Sequence, residues 1–432
     1  MNRRRPQNWI DSKQPSAEKR EPVTLSKPPT SATHGWVAFA ALAGFLAAMG
    51  CLRVFRPFGD QVVSSALFLI GVTAAFIFAT DLLWQKVYLR SSTGLNFKQS
   101  NPSLRRSLTK YAGLLGSLGF VGFLYWLLPE YHSAFYTRYY QMLLIVLPPW
   151  LVLAIPYLYW IDKHMPQPKD GYWHMGQAVC LNWQEVDRAV LGQHVLGWLI
   201  KGFFFPLMFT YMCNDIAKFV NYDFGKLSHF GTWFDLIYDF LYFVDVGIVS
   251  MGYLISMRVT DTHLRSAEPT LLGWSVALLC YQPFWSLAGR NYLAYDTDLK
   301  WGAWLWNQPL IYGIWGTSIL LLTAVYVWAT VIFGGRFSNL THRGIITNGP
   351  YRYTKHPAYI AKNLSWWMIS VPFVLQSTAS EAIRHCLLLL ALNGVYWMRA
   401  ITEERHLSWD PDYVAYSDWI KSHGVFRFTK PK

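Results

Sequence analysis

A succession of long apolar segments separated by polar loops constrains this chain more than any other feature. Such segments lie at about 35–52, 61–84, 111–129, 141–161, 191–213, 233–257, 270–289 and 306–333. Two shorter ones follow at about 361–376 and 381–400. A helix needs roughly 17–25 apolar residues to cross the hydrocarbon of a bilayer, and a lipid-exposed backbone must satisfy its own hydrogen bonds. The expected fold class is therefore all-α: a polytopic integral membrane protein of about ten transmembrane or partly re-entrant helices. Composition agrees, with 53% apolar and only 15% charged residues, 22 tryptophans and 26 tyrosines. Trp and Tyr collect where apolar core meets water, because each ring has an apolar body and a polar tip. Mean hydropathy is only +0.17 because polar stretches dilute the apolar blocks.

Charge fixes the expected orientation. The formal net charge is +13, and 27 of the 38 lysines and arginines fall on one side when the N-terminus and alternate loops are taken as cytosolic. The positive-inside rule then puts both termini in the cytosol, in a bacterial inner membrane or the endoplasmic reticulum. The basic excess is thus a topology signal, and no nucleic-acid partner is expected. Residues 1–34 read as a disordered cytosolic tail, rich in Pro, Ser, Lys and Arg. Nothing there resembles a cleavable signal peptide. Residues 35–305 read as an N-terminal membrane region of about seven helices, and a compositional break near 334 marks a C-terminal module over 306–432. The five cysteines form no CxxC pair, so neither a disulfide framework nor a metal site is expected. Oligomeric state is not legible.

After the break, the chain from Gly344 reads Gly-Ile-Ile-Thr-Asn-Gly-Pro-Tyr-Arg-Tyr-Thr-Lys-His-Pro-Ala-Tyr-Ile. Asn348-Gly349-Pro350 is a turn. Proline suits the first helical turn and pushes its predecessor out of helical conformation, so His356 is predicted to stand at the mouth of a helix starting at Pro357. Free N–H groups there, with Arg352 and Lys355 nearby, suit an anionic ligand end. The two shorter apolar segments, parted by Gln376–Ser380, predict a helical hairpin. Beyond it come Arg399, Glu403 and Glu404; Arg399 and Glu403 are one helical turn apart and able to pair. Taken alone, the carboxylates are either a ligand site or the solvated end of a helix, and charges at an interface are common.

Together the two segments resemble the isoprenylcysteine carboxyl methyltransferase and phospholipid methyltransferase superfamily, through Gly349, Tyr351, His356, Pro357, Tyr359, Glu403, Glu404, Leu407, Tyr413 and Tyr416. Lys355 stands where that pattern has arginine, keeping the charge but losing the planar fork. The resemblance covers about the last 120 residues. It implies S-adenosylmethionine as cofactor and methyl transfer to a membrane lipid or lipidated acceptor. It further implies cofactor contacts from Tyr351, Arg352, Lys355, His356, Pro357, Tyr359, Arg399, Glu403 and Glu404, with Glu403, Glu404 or His356 as base if the acceptor is an amine. Trp366 and Trp367 are aromatic faces for the cationic sulfonium, or else membrane-belt residues.

Asp245 lies near the middle of its segment, where an unpaired carboxylate costs at least about 2.5 kcal/mol. Lys201, which shares a helix face with His194, is its expected partner; Asp245, Lys201 and Trp366 are the candidate substrate contacts. Two other functions compete. One is an NADPH-dependent membrane reductase similar to the sterol reductases, which have a related C-terminal architecture. The other is an inactive transporter or scaffold, weakened by the absence of an internal repeat.

Overall fold

The computed structural model describes residues 27–296, 300–370 and 378–426. Seven helices come first: α1 (Gly35–Phe55), α2 (Val62–Ala79), α3 (Leu104–Leu127), α4 (Thr137–Lys163), α5 (Gly171–Val179), α6 (Arg188–Val220) and α7 (Phe230–Leu254). The short α8 (Leu271–Leu278), α9 (Arg290–Tyr292) and α10 (Trp301–Leu305) lead to α11 (Pro309–Val331), α12 (Pro357–Ser370), α13 (Ala379–Leu407) and α14 (Pro411–His423). Among the described residues, five helices are long and apolar enough to cross a membrane: Gly35–Phe55, Val62–Trp84, Ala134–Lys163, Arg188–Val220 and Pro309–Val331. Their outer faces carry exposed apolar side chains such as Leu144, Val152, Leu310 and Leu321. In water such faces would be a liability, whereas against lipid they cost nothing. These features mark an all-α integral membrane protein.

Several helices begin where the sequence supplies an acceptor for free N–H groups. Ser103, Asp170, Asp187 and Asp410 each cap a helix with a side-chain oxygen. Pro309, Pro357 and Pro411 each open one, where the missing N–H is not needed. The largest core cluster joins α1, α2, α6 and α7 around Val37, Phe45, Ile77, Phe204 and Phe243. Helices α3 and α5 meet through Gly113 and Gly176. A Cβ on Gly113 would lie 1.9 Å from the Tyr172 carbonyl oxygen, and one on Gly176 1.9 Å from that of Thr109. Only glycine allows this approach.

Three expectations change. The apolar stretch 270–289 is not one continuous span. α8 stops at Leu278, and a turn precedes the wide helical turn Trp285–Gly289. Pro283 lies in that interruption and has no N–H to continue a helix. The tail is ordered before α1: the Ala32 N–H donates to the Ile345 carbonyl at 2.8 Å, the Thr33 hydroxyl to Ile332 at 2.8 Å, and Thr347 to Pro29 at 2.8 Å. Residues 29–34 thus strap the loop ahead of the candidate site, because that loop offers backbone groups with no ladder of their own. Residues 1–26 lie outside the described residues, as do 371–377, which include Gln376 and Ser377 of the expected hairpin turn; Ala379 and Ser380 already belong to α13. Third, Asp245 does not pair with Lys201. Its Oδ2 accepts the Tyr326 hydroxyl at 2.6 Å from α11, while the Lys201 ammonium lies 5.8 Å from the Trp198 ring centre. α7 turns this carboxylate to α11 rather than to α6.

Candidate active site

The loop between α11 and α12 is held from three sides. A two-residue strand, β1 (Ser266–Ala267), pairs antiparallel with β2 (Thr341–His342). The strap of residues 29–34 covers Ile345–Asn348. The α14 helix folds back so that the Tyr416 hydroxyl donates to the Tyr351 carbonyl at 2.6 Å, and Tyr413, Tyr416 and Trp419 pack with Ile345. Gly349 turns the chain in the left-handed region at φ 57°, which glycine adopts without strain. His356 then stands immediately before α12, where the Pro357 argument placed it.

From there the loop is locked to the end of α13. His356 Nε2 lies 2.8 Å from Glu404 Oε1, and the Lys355 ammonium bonds to Glu404 Oε2. With the carboxylate ionised, His356 must carry its proton on Nε2 to donate here. Burial alone would raise the Glu404 carboxyl, but the His356 and Lys355 hydrogen bonds and the Lys355 charge outweigh it and hold it down at about 2. Glu403 turns the other way: its Oε2 accepts the Tyr359 hydroxyl at 3.0 Å and lies 4.0 Å from His356 Nδ1. The His356 and Tyr359 rings stack at 5.5 Å, 3° from parallel. Arg399 does not pair with Glu403. Its guanidinium lies 5.2–5.7 Å from the centres of the Tyr396, Tyr359 and Tyr281 rings, and Nη2 donates to Asn339 Oδ1 at 3.3 Å. Flat cations stack on aromatic faces, and three tyrosines within reach outcompete one half-exposed carboxylate.

A cavity of about 170 Å³ opens between these parts, lined by Tyr351, Lys355, His356, Tyr359, Arg399 and Glu403 among others. Both sequence segments therefore face one space. Arg352 does not: it is exposed and outside the lining. Nor do Pro357 and Glu404, which hold the loop from behind. Trp366 lines a second cavity of about 520 Å³, whereas Asp245 and Lys201 line neither. Trp367 instead donates its indole N–H to Asn393 at 2.6 Å.

Sequence reasoning missed several wall residues. Glu268, Gly273, Ala277 and Tyr281 come from the segment before α11, so the cavity is not contained within residues 306–432. Glu268 is held by Arg405 at 3.3 Å and lies 3.8 Å from His406 Nδ1. Arg343 is buried at 2% exposure and donates from Nη1 to the Gly252 carbonyl at 2.7 Å. Its Nε and Nη2 have no partner among the described residues, and burial pulls its pKa down to about 10. Nothing local in the sequence separates Arg343 from other loop arginines; its role depends on which carbonyls the fold brings to it.

The arrangement defines a class: a helical integral membrane protein with a polar, aromatic-walled cavity between the loop before α12, the end of α13 and the segment before α11. Residues 308–408 match the family model described as the isoprenylcysteine carboxyl methyltransferase (ICMT) family. The match takes in α11, the locked loop, α12 and α13, and identifies this C-terminal part as a methyltransferase-family module. No curated protein and no solved structure matches the chain.

Proposed function

We propose that this protein is an S-adenosylmethionine-dependent methyltransferase acting on a lipid or lipidated acceptor, with its site at the cytosolic face. One observation carries the reading: within the family-matched segment, the Tyr351–Tyr359 loop and the Arg399–Glu403 helix end line a single cavity. When bound, S-adenosylmethionine supplies a methyl group on a sulfonium, which passes to an electron pair of the acceptor and leaves a neutral thioether.

The residues present suit that cofactor. The unpartnered Nε and Nη2 of Arg343 are donors for a carboxylate. Glu403 and the faces of Tyr359 and Tyr396 attract a cation, each ring worth about 0.5–2 kcal/mol. Lys355, His356 and Glu404 act as a clamp that fixes the loop against α13, so Glu404 is a positioning residue. Glu403 is the carboxylate open to the cavity, and it serves as base if the acceptor must lose a proton. Alignment supplies most of the acceleration in such a displacement, and a locked loop favours alignment. Calorimetry with purified full-length protein tests this: S-adenosylmethionine is expected to bind, with binding weakened by Glu403→Gln.

One observation favours the reductase reading. Arg343, Lys362 and Arg399 line the cavity without a carboxylate partner, a lining that also suits nucleotide phosphates. Retention of NADPH in place of S-adenosylmethionine distinguishes the two.

A further inference from the structure

The two cavities share just two lining residues, Lys362 and Tyr396. A donor in the first and an acceptor in the second would meet past these side chains. Lys362 is therefore placed to decide which acceptor chemistry is admitted.

Its surroundings are unusual for an ammonium. Nζ lies 5.0 Å from the Tyr326 ring centre, 5.2 Å from that of Trp366 and 5.8 Å from that of Tyr396. Rings on three sides hold and desolvate the cation but accept none of its three N–H groups in a normal hydrogen bond. Among the described residues the ammonium has no hydrogen bond and no ion pair. The carboxylate acting on it, Asp245, has Oδ2 taken by the Tyr326 hydroxyl at 2.6 Å and forms no ion pair with it. A desolvated ammonium with open donors binds an anion strongly, and repels a second cation. The second cavity adds Arg290, with Asp296 as the one carboxylate among its lining residues.

We propose that Lys362 is a specificity-determining residue that holds the anionic headgroup of the acceptor at the junction of the two cavities and disfavours amine headgroups there. The proposal rests on the methyltransferase reading. It places the lipid tail in the second cavity, along Trp285, Trp366 and Leu392.

The test uses full-length protein without cofactor and three probes with one tail: oleate, oleylamine and oleyl alcohol. The alcohol measures apolar partition alone. Oleate is expected to bind at least tenfold more tightly than either of the others. Lys362→Met should remove that preference and Lys362→Arg should keep it; thermal melting identifies any variant that is not folded. Arg290→Met, which leaves the junction untouched, should weaken oleate less than Lys362→Met does. Equal binding of acid and amine by the wild type, or an undiminished acid preference in folded Lys362→Met, overturns the proposal. Titration of S-adenosylmethionine into the same samples separates this outcome from failure of the methyltransferase reading, which would appear as an absence of cofactor binding whatever the headgroup preference.

Discussion

At the residue scale, the site depends on two adjacent carboxylates doing different work. Glu404 has both oxygens engaged by Lys355 and His356, whereas Glu403 faces the cavity with Tyr359. Replacing Glu404 by Gln removes a charge-assisted clamp worth about 1.5–3 kcal/mol. Affinity for S-adenosylmethionine should fall about tenfold or more as the loop loosens, measured by calorimetry. The pH dependence follows from the sign of the shift. A carboxyl held at about 2 when folded, against an ordinary 4.5, gives stability that is complete above about 4.5 and is lost as pH falls through about 2. The melting-temperature gap between wild type and Glu404→Gln should therefore be constant from pH 8 to 5 and shrink below 4.5. The Lys355 departure from the family arginine also becomes intelligible. A point charge suffices, because His356 occupies the other carboxylate oxygen and no bidentate fork is called for.

At the element scale, close helix approach and buried ion pairs set the frame. The carbonyl of Tyr172 leaves no room for a Cβ on Gly113, so Gly113→Ala must push α3 from α5 and is expected to cost about 1–3 kcal/mol in thermal or denaturant unfolding. Arg336, fully buried, bonds Asp81 at 3.2 Å and the Thr260 carbonyl at 3.2 Å, tying the end of α11 to the end of α2. Breaking one side of such a pair leaves an uncompensated buried charge. Arg336→Met should cost about 3–5 kcal/mol, and Arg336→Met with Asp81→Asn less than Arg336→Met alone. The start of α12 was legible from the sequence because proline acts locally, as at Pro357, whereas the caps Ser103 and Asp187 start their helices ahead of the apolar segments expected from about 111 and 191. The break at 278–285 was not, since apolar content alone does not separate a span from a broken helix. The pairing of Asp245 with Tyr326 was equally hidden, because it depends on how α7 rotates against α11.

At the scale of the whole molecule, the candidate site is not built from the C-terminal segment alone. Its cavity borrows Glu268 and Tyr281 from the preceding region, and its loop is strapped by residues 29–34 from the far end of the chain. Removing residues 1–34 should weaken cofactor binding by exposing the Ile345–Asn348 edge, whereas the rest of the fold keeps its core and its melting transition. The C-terminal motifs were legible because their residues recur at fixed spacing along short stretches of chain. The strap, Glu268 and Arg343 were not, because their contacts join residues tens to hundreds of positions apart. The most direct measurement is a calorimetric titration of purified full-length protein with S-adenosylmethionine and, separately, with NADPH. The expected result is saturable S-adenosylmethionine binding that Glu404→Gln weakens about tenfold. Folded protein that binds NADPH and leaves S-adenosylmethionine unbound would contradict the methyltransferase reading.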